Sequence, residues 1–168
     1  MATYVFGYGS LINKNELIKE FSKHKEFSIK KKKVIPVIVS GLKRVFNVSV
    51  SGGKYKVLGV KESSSSTAEC NGVLVKVNEA ELAELIERES NYTVKTIKKD
   101  RLSFPYGKTI ALKKDDQILY FNPKPPFKLT KKQGDLIPIR PNYLNICLEG
   151  AKALGEDFMK DFLETIQE

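Results

Sequence analysis

The chain of 168 residues has no tryptophan, one histidine, two cysteines and two methionines. Each scarcity removes a class of chemistry. The lone histidine, His24, sits in the polar stretch Ser22-Lys23-His24-Lys25-Glu26 and reads as a surface residue. With no other imidazole, Ser-His-Asp and Cys-His nucleophilic catalysis fall away. Cys70 and Cys147 lie far apart, with no CxxC or Cys/His spacing, so a structural zinc site is not expected. Two unclustered cysteines fit a reduced cytoplasmic setting. No run approaches 18 apolar residues, and Met1 to Gly7 lacks the basic and apolar regions of a secretory leader. Neither a membrane span nor a signal peptide is expected.

Arginine is the other scarcity. The chain carries a net charge of +9, yet only Arg44, Arg88, Arg101 and Arg140 are arginines among 29 basic residues. Bidentate reading of bases and phosphates favours arginine. A lysine-dominated excess, including the run Lys30 to Lys33, reads as solvated surface, and nucleic acid is not the expected partner. Hydrophobic residues make up 41% and charged residues 29%. That mixture supports one sizeable core, and residues 1–168 read as a single domain.

The pattern along the chain alternates strands and helices unevenly. Strands are predicted at 3–7, 34–39, 44–50, 55–60, 72–77, 92–97, 108–113 and 117–121. Ser51-Gly52-Gly53-Lys54 marks one hairpin and Asp115-Asp116 a second. Helices are predicted at 14–23 and 79–89, each opened by an Asn-x-x-Glu capping box (Asn13/Glu16 and Asn78/Glu81). Two more follow, from Pro141 to Leu154 and around Phe158 to Ile166. The segment 122–140 reads as irregular. Consecutive strands without intervening helices favour an α+β fold over a doubly wound sheet.

Two phosphate-binding motifs fail. Gly7-Tyr8-Gly9 would need a third glycine where Ile12 stands. Gly107-Lys108-Thr109 would need a first glycine where Leu102 stands, and Pro105 interrupts the loop.

Two features point to chemistry. Leu82, Leu85 and Ile86 form the apolar face of the second helix, and helical spacing extends that face to Glu89. Glu81, Glu84, Glu87 and Arg88 fall on other faces. An inward-facing carboxylate has its charged form disfavoured and suits proton transfer near neutral pH. The alternative is a helix-end glutamate that turns to solvent or to a lysine. The second feature is Tyr8-Gly9-Ser10-Leu11 between a strand and a helix. Glycines there let backbone amides approach an anionic group. The alternative is a tight turn without a ligand.

Several segments, in order, resemble the γ-glutamylcyclotransferase-like superfamily. Val5-Phe6-Gly7-Tyr8-Gly9-Ser10-Leu11-Ile12 is similar to its N-terminal strand and loop. Ser40 to Phe46, Cys70 to Leu74, Leu85 to Tyr92, and Pro141-Asn142-Tyr143 with Gly150-Ala151-Lys152 and Gly155 resemble later segments. The resemblance spans nearly the whole chain. It implies a small mixed β-barrel with flanking helices. It also implies conversion of a small γ-glutamyl compound to 5-oxoproline and a free amine, with no metal or organic cofactor. Glu89 matches the family's catalytic glutamate, and the Tyr8 to Leu11 loop its substrate-holding segment. Tyr92 and Tyr120 are further candidates to line the pocket. Ser10-Leu11 is as in the glutathione-degrading and γ-glutamylamine branches, whereas the C-terminal helices look more like the γ-glutamylcyclotransferase branch. The substrate therefore stays open among a dipeptide, glutathione and a γ-glutamylamine. A binding module without turnover on the same fold is the other reading.

Overall fold

The computed structural model describes residues 1–21 and 33–166. His24 and Lys30 to Lys32 lie outside the described residues. Among the described residues there are eight strands and five helices. The strands are β1 Thr3–Gly7, β2 Val34–Ser40, β3 Leu42–Val50, β4 Tyr55–Glu62, β5 Glu69–Val77, β6 Tyr92–Thr96, β7 Leu102–Ser103 and β8 Gln117–Pro123. The helices are α1 Lys14–Phe21, α2 Glu79–Arg88, α3 Lys131–Asp135, α4 Tyr143–Ala153 and α5 Glu156–Thr165.

Six strands form one mixed sheet in the order β6-β8-β1-β5-β2-β7, and β3 and β4 form a separate hairpin. The central strand β1 pairs antiparallel with β5 and parallel with β8. Both of its faces are covered, which is why its residues read as a continuous apolar run. Phe6 joins a core inside the curved sheet with Val37, Leu74, Ile118 and Tyr120. Val5 faces the other way, into a layer with Leu11, Leu17, Val75 and Leu85 under α1 and α2. A third core packs α4 and α5 against the hairpin, through Cys147, Phe158 and Phe162 on Val48 and Leu58. The hairpin packs on the sheet, β4 on β8 and β3 on β5, so the small barrel is completed by side-chain packing and not by a closed hydrogen-bond ladder.

Several expectations need correction. The second hairpin does not form, because residues 108–113 are not a strand. Both edges of β8 are already taken by β1 and β6. Ile110 and Leu112 instead pack on the core as loop residues. The 122–140 segment is more regular than its composition suggests. Asn122 and Pro123 continue β8, and α3 is opened by a full capping box between Thr130 and Gln133. The C-terminal helix starts at Tyr143, not Pro141, because Asn142 takes a left-handed conformation (φ 64°) that interrupts the helix there. Asn13 makes no capping box with Glu16; its side-chain oxygen accepts from the Asn15 amide at 2.9 Å. The Asn78/Glu81 box forms as expected, with bonds of 2.8 and 2.9 Å.

Both cysteines are free and buried. Among the described residues no helix is long and apolar enough to cross a membrane. Nor is there a cluster of three or more His, Cys, Asp or Glu fit to hold a metal ion.

Candidate functional site

The chain leaves β1 at Gly7 and turns at once into the short 3-10 turn Ser10–Ile12. Ile12 donates the first bond of that turn, to the Gly9 carbonyl at 3.1 Å. The amides of Ser10 and Leu11 therefore stand ahead of the hydrogen-bonded part of the turn. Gly9 is required by close approach, since a Cβ there would lie 2.6 Å from the Tyr143 hydroxyl. Gly7 is packed equally closely, its Cβ position lying 2.8 Å from that of Leu11.

The loop is held from below by Arg44. This side chain is only 1% exposed. Its Nε donates to the Tyr8 carbonyl at 2.8 Å, and its Nη2 donates to both oxygens of Asn71. The guanidinium also bonds Thr165 and stacks 4.2 Å from the centroid of the Phe162 ring. A cation is tolerated there because its donors are satisfied and an aromatic face covers it.

Glu89 arrives from the other side. Helix α2 ends at Arg88, and Glu89 is its C-cap, with its amide donating to the Leu85 carbonyl. The Tyr92 amide returns to the Glu89 carbonyl at 3.0 Å, which reverses the chain into β6. Because β6 pairs with β8, and β8 with β1, this reversal sets Glu89 beside the Tyr8 loop.

A cavity of about 330 Å³ lies between them. Six of the seven residues singled out from the sequence line it: Tyr8, Gly9, Ser10, Leu11, Glu89 and Tyr92. Glu89 is half-buried. Two other residues of α2 depart from the face that helical spacing predicts. Ile86, assigned to the apolar face, is 43% exposed, while Glu81, assigned to another face, is 1% exposed. Glu81 is buried because its carboxylate folds back on the Asn78 amide in the capping box. Tyr120 does not line the cavity. It belongs to the inner core, and its hydroxyl donates to Glu62 at 2.8 Å.

Three tyrosines frame the cavity, each hydroxyl tied to backbone. Tyr8 donates to the Phe121 carbonyl. Tyr92 donates to the Leu58 carbonyl at 3.0 Å, and Tyr143 accepts from the Leu58 amide at 3.3 Å. Burial raises the pKa of all three phenols. For Tyr8, neighbouring Tyr92 and Tyr143 and then the charge of Glu89 push further in the same direction. For Tyr92, Glu89 is the next cause after burial. These phenols stay neutral near pH 7, so they act as fixed hydrogen-bonding groups and not as bases. Glu16 and Glu89 are the carboxylates of the cavity lining.

Sequence reasoning missed part of the lining. Tyr143 carried a signal, as the last residue of the Pro141-Asn142-Tyr143 segment. Glu16, predicted to cap α1, instead lines the cavity and pairs with Lys19 at 3.0 Å. Arg88 and Arg140 also line it, Arg88 lying 3.7 Å from Glu84. Nothing local in the sequence marks Arg140. It is brought in by the bond from its amide to the Lys56 carbonyl at 3.0 Å.

No protein-family model and no curated protein matches the chain. Solved structures do. A γ-glutamyl cyclotransferase superposes with a TM-score of 0.69 at 17% identity, covering 99% of this chain and 89% of that one. An uncharacterised protein from Homo sapiens gives 0.67 at 19% identity, covering 99% and 88%. A yeast γ-glutamyl cyclotransferase specific to glutathione gives 0.58 at 14% identity, covering 98% and 95%. At these identities the likeness is one of fold. This chain has the fold of the γ-glutamyl cyclotransferases.

Proposed function

We propose that the chain is a γ-glutamyl cyclotransferase with Glu89 as its general acid and base. The observation that carries this reading is that Glu89 and the Tyr8 to Leu11 loop line one cavity, although about 80 residues separate them in sequence. The fold shared with γ-glutamyl cyclotransferases supports it.

The chemistry asks little of the protein beyond positioning and one proton. The substrate's α-ammonium must lose a proton before its nitrogen can attack. Glu89 takes that proton. The nitrogen then attacks the γ-carbonyl carbon, forming the C–N bond of a five-membered ring. The bond from that carbon to the leaving amine breaks as Glu89 returns the proton to the leaving nitrogen. The ring nitrogen sheds its second proton through the same carboxylate to the departing amine, so the products are 5-oxoproline and the amine in its ammonium form. Holding the glutamyl chain folded lowers the barrier by up to about 7–11 kcal/mol. Loop amides at Gly9, Ser10 and Leu11 engage the carboxylate or the developing oxyanion, and the Tyr92 ring walls the cavity.

The test is 5-oxoproline release from γ-glutamyl dipeptides, glutathione and γ-glutamyl-lysine, with Glu89→Gln alongside. The variant keeps the shape of the side chain and loses the base. Turnover is expected to fall by about 10²–10⁴-fold with the melting temperature little changed. Turnover that survives in Glu89→Gln removes the role. Tight binding of these compounds without product in the native protein would instead establish the non-catalytic binding module.

A further inference from the structure

A second cleft, of about 800 Å³, is lined by residues none of which line the Glu89 cavity. It is built by an irregularity in the β3–β4 ladder. Val45 pairs with Gly59 and Val48 with Val57, so Phe46 and Asn47 together face Leu58 alone. A bulge of this kind bends the strand and re-aims its side chains. The 124–135 segment then lies across the bulged strand. The Leu129 amide donates to the Asn47 carbonyl at 2.8 Å, and the Lys56 ammonium donates to the Gly134 carbonyl at 2.8 Å. The cleft is what remains between strand and segment.

Its walls have two characters. Val45, Phe46, Pro125 and Leu129 give it an apolar floor. Lys43, Lys56, Lys61, Lys128 and Lys131 surround that floor, with Asp135 the single carboxylate of the lining. None of these five lysines forms an ion pair among the described residues. Lys56 is 8% exposed and spends its hydrogen bond on a neutral carbonyl. Unpaired like charges around a concave, partly apolar surface repel one another and raise the local concentration of anions. The volume is that of a site for a small organic ligand.

We infer that this cleft binds a soluble amphiphilic anion, with an apolar body on the Val45–Leu129 floor and a carboxylate or phosphate head among the lysines. Lysine suits this task, since a compact ammonium recognises an anionic head as a point charge without demanding planar, bidentate geometry. The cleft shares no lining residue with the Glu89 cavity.

The test is calorimetric titration of the full chain with sodium dodecanoate below its micellar range. Dodecyltrimethylammonium serves as the cationic counterpart. K128E/K131E reverses two exposed rim charges, and K95E/K98E makes the same change of net charge elsewhere on the surface. Dodecanoate is expected to bind one-to-one, about tenfold or more weaker in K128E/K131E and unchanged in K95E/K98E. Added salt should weaken it further. Equal affinity in K128E/K131E, equal binding of the cationic amphiphile, or no binding of dodecanoate overturns the inference. Co-sedimentation with phosphatidylglycerol vesicles without binding of free dodecanoate would overturn it in favour of a membrane surface.

Discussion

At the scale of single residues, the site depends on atoms that are absent as much as on those present. Gly9 lets the loop pass under the Tyr143 hydroxyl, where a methyl group would sit at 2.6 Å. Gly9→Ala is therefore expected to cost about 1–3 kcal/mol of stability and to raise KM by displacing the loop. Tyr143→Phe in the same chain removes the clashing oxygen. The double variant should recover part of the stability in urea unfolding, beyond what adding the two single effects gives. If the two effects simply add, the close approach is not what selects glycine. The glycine was visible in the sequence as part of a turn. Its partner was not, because Tyr143 lies 134 positions away and no local pattern joins them.

At the scale of elements, α2 shows how a local signal and a distant function are joined. Its start is set by Asn78 and Glu81, bonded reciprocally to each other's amides. Its end is Glu89. Asn78→Ala removes the side-chain half of the box and leaves the Glu81 amide without its acceptor, while the bond from the residue-78 amide to the Glu81 carboxylate stays. A loss of about 1 kcal/mol is expected, read as a lower urea midpoint. The start of this helix was legible from Asn-x-x-Glu alone. The same spacing at Asn13 and Glu16 misled, because Glu16 is drawn instead to the cavity wall and to Lys19. The failed hairpin at 108–113 has a similar cause. β1 and β6 occupy both edges of β8, which leaves 108–113 no strand to pair with there. Pairing is a competition among strands, and a single segment does not record its competitors.

For the whole molecule, Tyr8, Tyr92 and Tyr143 bring a shared dependence on pH. Their folded-state pKa values all lie above the ordinary phenol value, burial being the largest cause in each. A raised pKa means that the unfolded chain ionises first. The stability these groups contribute is fully present below about pH 10, the unfolded value, and is lost as pH rises through the higher folded values. The urea midpoint is thus expected to show no tyrosine-linked fall between about pH 7 and 9 and to drop steeply above about pH 10. Tyr92→Phe should make that alkaline fall shallower. An unaltered alkaline limb in that variant would show that Tyr92 is not part of the linkage.

The sequence by itself determined the α+β class, the apolar run of β1, the hairpin at Ser51 to Lys54 and the cap of α2. It also singled out Glu89 and the Tyr8 to Leu11 loop. The elements rest on interactions between near neighbours, namely backbone reach, side-chain periodicity and turn geometry, while Glu89 and the loop rest also on the family resemblance. Only the tertiary structure decided that the loop and Glu89 share a cavity, that Tyr143 and Arg140 complete its walls, and that Tyr120 belongs to the core. It also decided that five lysines from three separate segments surround one cleft. Those placements follow from sheet order and from the packing of 124–140 across the hairpin, and no short stretch of sequence contains both sides of such a contact.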